Sequence, residues 1–392
     1  MKNQRLLLVS GLGCCVAAAG CLAVLQLAMT KPGPGLPAAR HIPSGYALVA
    51  AGDDTAGLDT LDVSRPYVIR STPMTYHRQS EDMLLSSDGR LLFALGGRLG
   101  TTASGPSDVL SQVDTRTWRV LTTRSFPTRM MYNGFGPSTM VLSADGTRLF
   151  VYHYKIDAPN KTEYWLGGLT ARSLRNIGPR VQLPDCGGSF FGAWGNDIVV
   201  LCSDADDLRL IDSKRNRTLA VISLRRKAEE AVQQASPVGF VISKKLGEAY
   251  VVMSDMRIIA VGLKNHAIRQ VTSLSRRLPL RVPTTDAVAI DARRNELIVG
   301  VKAMASSGSF RFLIYRLLLP SVRLTKVLAL SRYSHFIVDT KGIVYTFPTL
   351  DAPWSPGKAE APARGSDGLV VPIRLPEPAL RVVLIPHRRR SN

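Results

Sequence analysis

Short apolar runs separated by polar turns fill most of this chain. From Gly45 onward the runs are about four to eight residues long and rich in Val, Ile, Tyr and Phe, with Gly, Asp, Asn, Ser and Pro between them. This pattern predicts β-strands joined by tight turns. One phrase occurs twice in nearly the same form, as MLLSSDGRLLFAL at 83–95 and MVLSADGTRLFVY at 140–152. An Asp-Gly pair between two apolar runs is typical of a β-hairpin, because Gly tolerates the positive φ that such turns need.

The hairpin pattern recurs along the chain at intervals of roughly 50 residues. Its turns are predicted at Asp88-Gly89, Asp145-Gly146, Asn196-Asp197, Leu246-Gly247, Arg294-Asn295 and Lys341-Gly342. A second pair of strands follows most of these hairpins, as in SDVLSQVDTRTWRVLTTRS at 107–125, where Trp118 begins the second strand, and GLVVPIRLPEPALRVVLI at 368–385. Four antiparallel strands per repeat are the unit of a β-propeller, so we predict an all-β fold.

These phrases resemble the YVTN-type, WD40-like β-propeller repeat, which has a Ser-Pro-Asp-Gly-like hairpin followed by an Ile-Asp-Thr-like hairpin. The resemblance covers roughly Gly45 to Pro386, although Ser87 and Ala144 stand where the family has Pro. It implies a ring of blades. We expect seven, the seventh formed by residues 44–72. Either its inner strand comes from around Ala38 to Ile42 or this blade is incomplete; six blades are the alternative.

The first 30 residues predict export from the cytoplasm. Lys2 and Arg5 precede an uncharged stretch from Leu6 to Thr30, which is long enough for a transmembrane helix of ~20 residues. A cleaved secretory signal and a lipoprotein acylated at Cys21 are the alternatives. The predicted organisation is a membrane anchor or signal segment at 1–30, a Pro/Gly-rich tether at 31–44, a propeller at 45–386 and a basic tail at 387–392.

The charge balance indicates the class of partner. Lys and Arg total 50 against 30 acidic residues, a formal net charge of +20. Such a surplus favours anionic partners. We therefore expect the exported domain to bind a protein or an anionic component of the cell envelope, beside the membrane contact of the N-terminal segment. Nucleic acid is not an expected partner, because the basic clusters are not interleaved with aromatic residues.

Two cysteines, Cys186 and Cys202, belong to the expected exported domain. A disulfide between them is chemically permissible outside the cytoplasm. Two separate buried thiols are the alternative, because the sequence alone gives no distance between the side chains.

The sequence contains none of the common catalytic or phosphate-binding motifs, such as Gly-x-Ser-x-Gly, His-Glu-x-x-His or Gly-x-x-x-x-Gly-Lys. We predict neither a metal site nor a cofactor. His153 is expected to be structural, and the acidic cluster of Asp204, Asp206 and Asp207 is expected to form a solvated loop. A short helix is predicted from Arg225 to Gln234.

Binding sites of propellers lie on loops at one end of the central channel, where the chain leads into each inner strand. The candidate ligand-binding residues of these loops are Tyr76, His77, Arg78, Tyr132, Asn133, Asp185, Arg281, Asp286, Arg332, Tyr333 and His335. They favour a non-catalytic binding module. One alternative is a lactonase- or hydrolase-like enzyme or redox subunit, which would use His77, Asp185, Asp286 and His335. A structural envelope component is the other.

Overall fold

A computed structural model of the chain describes part of the sequence. The described residues are 47–52, 57–62, 68–73, 79–98, 107–126, 139–158, 161–225, 235–274, 281–304, 310–330, 334–338, 344–348, 370–372 and 379–385.

Strands and the turns between them make up nearly all of these ranges. In chain order the strands are β1 (Ala47–Gly52), β2 (Gly57–Asp62), β3 (Val68–Pro73), β4 (Gln79–Leu85), β5 (Leu91–Arg98), β6 (Ser107–Asp114), β7 (Arg119–Phe126), β8 (Met140–Leu142), β9 (Arg148–Ala158), β10 (Lys161–Thr170), β11 (Val181–Gln182), β12 (Ser189–Trp194), β13 (Asp197–Cys202), β14 (Asp207–Asp212), β15 (Arg217–Ser223), β16 (Pro237–Ser243), β17 (Glu248–Met253), β18 (Arg257–Gly262), β19 (Ala267–Ser273), β20 (Arg281–Asp291), β21 (Glu296–Met304), β22 (Phe310–Leu318), β23 (Arg323–Leu330), β24 (Ser334–Val338), β25 (Val344–Pro348), β26 (Val370–Pro372) and β27 (Ala379–Ile385).

The described strands form seven sheets, and in most of them consecutive strands pair antiparallel. In the order of hydrogen-bonded neighbours they are sheet A (β27-β1-β2-β3), sheet B (β4-β5-β6-β7), sheet C (β8-β9-β10-β11), sheet D (β12-β13-β14-β15), sheet E (β16-β17-β18-β19), sheet F (β20-β21-β22-β23) and sheet G (β24-β25-β26).

The first strands of successive sheets lie next to one another. Contacts run from β4 to β8, from β8 to β12, and onward through β16 and β20 to β24, while β27 contacts both β24 and β4. Four-stranded antiparallel sheets that pack face to face with their first strands side by side are the blades of a propeller. The prediction of an all-β propeller fold is confirmed.

Two predictions for the terminal strands are wrong. Strand β27 pairs antiparallel with β1, with Val383 opposite Val49, so this inner strand comes from the C-terminal part of the chain and not from Ala38 to Ile42. The segment 368–385 is also not a hairpin, because β26 pairs in parallel with β25 in sheet G. A C-terminal strand that joins the first sheet gives both ends of the repeat array a partner, which a local hairpin would not.

The Asp-Gly turns form as predicted. Gly89 and Gly146 have φ angles of 67° and 69°, values that favour glycine. Asp145 closes its turn through one carboxylate oxygen, which accepts hydrogen bonds from the Ser143 hydroxyl at 2.6 Å and the Thr147 amide at 3.0 Å. These residues are therefore selected by the backbone geometry of the turn.

One predicted turn is displaced by a residue. The turn expected at Asn196-Asp197 is formed by Gly195 and Asn196, and Asp197 is the first residue of β13. Gly195 has a φ of 58°, so the turn is placed where the residue without a Cβ can adopt the left-handed conformation.

The turn between β6 and β7 shows the second recurring geometry. The Asp114 carboxylate accepts hydrogen bonds from the amides of Arg116 at 2.7 Å and Thr117 at 3.0 Å. Trp118 ends the turn with a φ of 55°, although the sequence predicted it as the first residue of the strand. Its indole is buried, and this burial stabilises a conformation that non-glycine residues rarely adopt.

The hydrophobic core consists of layers between neighbouring sheets. Strand β17 contributes to two of them: Ala249 and Val251 pack in the layer shared with sheet D, whereas Tyr250 and Val252 pack in the layer shared with sheet F. Successive side chains of a strand point to opposite faces. A middle strand that is buried on both faces therefore has a continuous apolar run instead of an alternating one.

Several predictions concern residues outside the described ranges. These are the segment 1–30 with Cys21, the tether 31–44, the turn at Lys341-Gly342, the basic tail 387–392 and the predicted helix from residue 226 onward. In the part of the chain that the structure describes, no helix has the length and apolar character needed to cross a membrane.

Candidate functional site

The turns of the sheets lie at two opposite ends of the propeller. Because neighbouring strands run antiparallel, the turns between first and second strands and those between third and fourth strands share one end. We call this end the turn face, and the other end the opposite face. Turns of neighbouring sheets are in contact: the Arg148 guanidinium of sheet C donates a hydrogen bond to the Ser213 carbonyl of sheet D at 2.6 Å.

Among the residues that the structure describes, most exposed cations lie on the turn face. They occupy the turns of sheets B to F and the strand ends beside them, so the positive charge extends across the face instead of forming one spot. The exposed Lys and Arg residues of these turns are Arg90, Arg116, Arg119, Arg172, Arg175, Lys214, Arg215, Arg217, Lys244, Lys245, Lys264, Arg293, Arg294 and Arg323.

Two carboxylates of the turn face are buried, whereas those of Asp88 and Asp145 are exposed. Asp212 is buried, and its carboxylate accepts hydrogen bonds from the amides of Lys214 at 2.8 Å and Arg215 at 3.0 Å. Burial alone would raise the pKa of Asp212, but these two amides and the Arg215 guanidinium hold the pKa below its ordinary value. Asp291 is also fully buried and forms an ion pair with Arg294 at 2.9 Å. The charge that faces solvent at this end is therefore mainly positive.

The described part of the opposite face has a more acidic balance. Asp185, Asp204 and Asp255 are exposed there, together with the cations Lys155 and Arg225. Among the described residues, exposed cations are therefore more numerous on the turn face than on the opposite face.

A cleft of about 480 Å³ opens on the turn face of sheet D. Its lining consists of Trp194, Gly195, Asn196, Asp197, Asp212, Lys214 and Arg215. Two hydrogen bonds join the turns that form it, since the amide of Ser213 at 3.1 Å and its hydroxyl at 2.6 Å both donate to the Asn196 carbonyl.

The walls of the cleft differ in chemistry. Trp194 is half-buried and packs against the apolar layer between sheets D and E. Asp197 lies on the polar side, where burial and the charge of Asp212 raise its pKa, while the His266 imidazole acts in the opposite direction. Lys214 and Arg215 are exposed at the rim. The cleft therefore combines an aromatic ring, hydrogen-bonding groups and cations.

Most of the candidate residues predicted from the sequence lie outside the described ranges. This applies to Tyr76, His77, Arg78, Tyr132, Asn133, Arg332 and Tyr333. Of the remaining ones, Arg281 and Asp286 belong to strand β20 and not to the loop before it, and the pairing of β20 changes register between Thr285 and Ala287. This places Asp286 at a β-bulge.

His335 is the second residue of strand β24. Among the predicted site residues, Asp185 has a side chain that the structure describes. This side chain is exposed on the opposite face, and the backbone φ of Asp185 is 54°. The set as a whole therefore stays a prediction. Within the described residues, no cluster of three His, Cys, Asp or Glu side chains has the arrangement of a metal site.

A disulfide lies beside Asp185. Cys186, which precedes β12, is bonded to Cys202 at the end of β13, with 4.6 Å between the Cα atoms. Both cysteines are fully buried. At the opposite face, the bond thus links the segment that leads into β12 to the end of the neighbouring strand β13.

The acidic cluster after this disulfide is not the solvated loop that the sequence predicted. Asp204 is exposed, but Asp206 and Asp207 are buried. Asp206 pairs with Arg225 at 3.1 Å, and Asp207 pairs with Arg209 at 2.9 Å. These carboxylates are buried because cations two and nineteen residues further along the chain reach them.

The cations of the turn face and Trp194 were not among the predicted site residues. A signal for the cations was present: basic residues follow the turn-forming Asp in several repeats, as in Asp88-Gly89-Arg90 and Asp212-Ser213-Lys214-Arg215. Aligning the repeats would have placed these residues at one end of the blades. Trp194 has no comparable signal, because a Trp at the end of an apolar run is equally typical of a core position.

Comparisons with known proteins concern the fold. No family model and no curated protein matches the chain. The solved structure of dihydro-heme d1 dehydrogenase NirN in complex with DHE is 15% identical, with a TM-score of 0.50; the match covers 82% of this chain and 61% of that one. The chain thus spans about three fifths of that protein.

Two further solved structures are similar at lower scores. Kuenenia stuttgartiensis hydrazine synthase is 14% identical with a TM-score of 0.49, and the match covers 68% of this chain and 73% of that one. The β-propeller domain of Myceliophteria thermophila Cps50 (Swd1) is 12% identical with a TM-score of 0.46, covering 68% and 79%. At these identities the similarity concerns architecture alone, and the sheet topology identifies the chain as a β-propeller protein.

Proposed function

We propose that this chain is a non-catalytic binding module that holds an anionic component of the cell envelope on its turn face. The distribution of charge is the observation that supports this proposal. Exposed Lys and Arg side chains occupy the turns of five consecutive sheets, B to F, and outnumber the exposed carboxylates of these turns, since Asp212 and Asp291 are buried. A broad cationic surface attracts an extended polyanion by summed electrostatic interactions.

The proposal predicts binding that depends strongly on salt. Each phosphate or carboxylate that is neutralised releases counterions, so the affinity falls as salt is added, and it falls more steeply when more charges are engaged. The test uses the purified full-length chain with sodium polyphosphate and with neutral dextran, and measures affinity by isothermal titration calorimetry at several salt concentrations. We expect polyphosphate to bind at low salt and dextran not to bind.

A matched pair of charge reversals locates the binding surface. Lys245 is exposed in the turn between β16 and β17, and Lys155 is exposed near the far end of β9. Lys245→Glu is expected to weaken polyphosphate binding about three- to tenfold at low salt and to reduce the salt dependence, whereas Lys155→Glu leaves both within about twofold. Equal effects of the two changes, or no binding of polyphosphate by the parent protein, would contradict the proposal.

We also propose that the propeller acts outside the cytoplasm and is anchored by its N-terminal segment. The Cys186–Cys202 disulfide supports this location, because disulfides persist in oxidising compartments. Lys2 and Arg5 before the apolar stretch at 6–30 support the orientation. Alkaline phosphatase, which folds only where its own disulfides form, provides the test: fused after Asn392 it is expected to be active, and an inactive fusion would contradict this location.

The ring is proposed to contain seven blades. The count is supported by the seven sheets of the described residues and by β27, which contacts the first strands on both sides of it, β24 and β4. Cross-linking supplies the test: a disulfide engineered between β1 and β27 at the opposed residues Val49 and Val383 is expected to form in the purified protein. Failure of this bond to form under oxidising conditions would count against closure through β27.

A further inference from the structure

We infer that the cleft between Trp194 and Arg215 binds one sugar residue that carries an acidic group, so that the anionic ligand is an acidic saccharide. This inference rests on the proposed function, since it specifies the chemistry of the ligand that the turn face attracts. It depends on a different observation, namely the combination of side chains that line the cleft of about 480 Å³ on sheet D.

The aromatic wall provides a surface for a sugar ring. Trp194 is anchored on its inner side, where it packs against the layer between sheets D and E. Gly247 lies beside the indole: a Cβ added there would be 3.4 Å from the Trp194 ring. The ring is therefore fixed in place, and its remaining surface lines the cleft. The C–H groups on one side of a pyranose pack well against such a flat apolar face.

The floor provides hydrogen-bonding groups for hydroxyls. Asn196 is exposed at the tip of the turn between β12 and β13, and its backbone is fixed because its carbonyl accepts two hydrogen bonds from Ser213. The Asp197 carboxylate lies in the same lining. An amide and a carboxylate beside an aromatic ring form the mixed polar and apolar lining that suits a small polar ligand.

The rim provides the cations. Lys214 and Arg215 follow Asp212 in the turn between β14 and β15, and both amides are held by the Asp212 carboxylate at 2.8 and 3.0 Å. The turn is thus rigid. The Arg215 guanidinium also pairs with the Asp212 carboxylate at 3.2 Å, but its side chain is 70% exposed and open to a ligand. A carboxylate or phosphate on the sugar would pair with these cations.

The carboxylates of the lining distinguish a saccharide from a simple polyanion. Asp197 and Asp212 both line the cleft, and their charges would repel a dense chain of phosphates. A sugar residue has hydroxyls that can donate to the Asp197 carboxylate and one acidic group that can turn toward the rim. The cleft therefore fits a ligand in which hydroxyl groups outnumber the charges.

Three probes test the inference with the purified full-length chain. Tetragalacturonate has pyranose rings and carboxylates, its methyl ester has the rings without the charges, and polyphosphate has charges without rings. We expect tetragalacturonate to bind, the methyl ester to bind more weakly because it does not pair with Lys214 and Arg215, and polyphosphate to bind through the wider turn face.

Changes at the cleft separate the two modes of binding. Asn196→Ala removes a hydrogen-bonding side chain from an exposed turn and is expected to weaken tetragalacturonate binding about fivefold. Trp194→Ala is expected to weaken it about tenfold or more. Polyphosphate affinity should stay within about twofold in both variants. Trp194→Phe preserves an aromatic side chain for packing, and the change in tryptophan fluorescence on adding tetragalacturonate should disappear in this variant.

The outcomes distinguish this inference from the proposed function. If tetragalacturonate and polyphosphate bind with affinities that depend on Lys245 but not on Asn196 or Trp194, the cleft inference is wrong and the charged turn face remains. If polyphosphate does not bind at low salt and tetragalacturonate binds in an Asn196-dependent manner, the cleft is the site and the wider face is not. If neither probe binds, both proposals are wrong.

Discussion

His153 stacks on Trp165 across sheet C, with ring centroids 5.5 Å apart and an angle of 7° between the ring planes. The Phe126 ring of sheet B lies 5.1 Å from the imidazole, and the Arg180 guanidinium lies over the Trp165 ring at 4.9 Å. These side chains form a layered contact between two neighbouring sheets. His153 is thus a buried component of this interface, as its role was expected to be structural.

Protonation of His153 is expected to destabilise the folded chain. Burial, and then the charges of Arg180 and Arg124, lower the pKa of this imidazole to about 4 from an ordinary 6.5. Above pH 6.5 it is neutral in both states; between pH 6.5 and 4 only the unfolded chain binds the proton. The free energy of unfolding should therefore fall by up to about 3 kcal/mol over this window, measured by urea unfolding at several pH values.

His153→Phe tests this assignment. The variant keeps an aromatic ring against Trp165 but cannot be protonated, so its free energy of unfolding should depend less on pH between 6.5 and 4 than that of the parent. Unchanged pH dependence would show that another group is responsible.

Gly146→Val is expected to damage folding. Gly146 has a φ of 69°, and a Cβ added there would meet no atom closer than the Ser87 hydroxyl oxygen at 3.7 Å. Space is therefore available, and backbone strain decides the effect. A β-branched residue in this conformation should lower the free energy of unfolding by about 1–3 kcal/mol. Chemical denaturation measures the loss.

Gly146→Asn is the matched control, because Asn tolerates the left-handed conformation better than other residues with a side chain. Its loss should be clearly smaller than that of Gly146→Val. Equal losses would show that a Cβ itself is harmful at this position, contrary to the argument from φ.

The repeated turns explain why the fold could be predicted from the sequence. A turn such as Asp145-Gly146 can be predicted because it depends on local geometry: the Asp carboxylate and the positive φ of Gly act within a few residues. The closure of the ring could not be predicted in this way. The pairing of Val49 with Val383 joins distant parts of the chain, and the apolar pattern of β27 is equally compatible with a local hairpin partner.

The site was harder to predict for a related reason. The role of Arg215 as a rim cation depends on Trp194, which lies in another turn of the same sheet, and sequence spacing does not show which side chains of two turns share a cleft. Asp206 and Asp207 were misinterpreted because their partners, Arg225 and Arg209, are recognised only from the contacts. A run of acidic residues alone is typical of a solvated loop.

Removal of the disulfide is expected to destabilise sheet D. Cys186 and Cys202 are separated by 16 positions, and closing a loop of this size in the unfolded chain stabilises a protein by about 3 kcal/mol in the chain-entropy description. The double change Cys186→Ala and Cys202→Ala should lower the free energy of unfolding by a similar amount, measured under non-reducing conditions.

Reduction of the parent protein provides the control for this disulfide. In the presence of a reductant, the parent and the double variant should differ much less in their denaturation midpoints. Alkylation of the parent after denaturation without reductant should leave Cys186 and Cys202 unlabelled; labelling of both would show that the bond is absent.

The buried pair of Asp207 and Arg209 is expected to show strong coupling. Two hydrogen bonds of 2.9 Å join the carboxylate to the guanidinium, and both residues are buried on strand β14. Asp207→Ala leaves the buried cation without this partner and should lower the free energy of unfolding by about 3–5 kcal/mol.

Replacing both partners should cost less than removing the carboxylate alone. In Asp207→Leu combined with Arg209→Met, no uncompensated charge remains, and the apolar side chains can pack in the layer between neighbouring sheets, so this double variant should be more stable than Asp207→Ala. A double-mutant cycle with the matching single changes measures the coupling. Additive losses would show that Asp207 and Arg209 contribute to stability independently. The cost of burying the two charges would then be offset by contacts other than their bidentate ion pair.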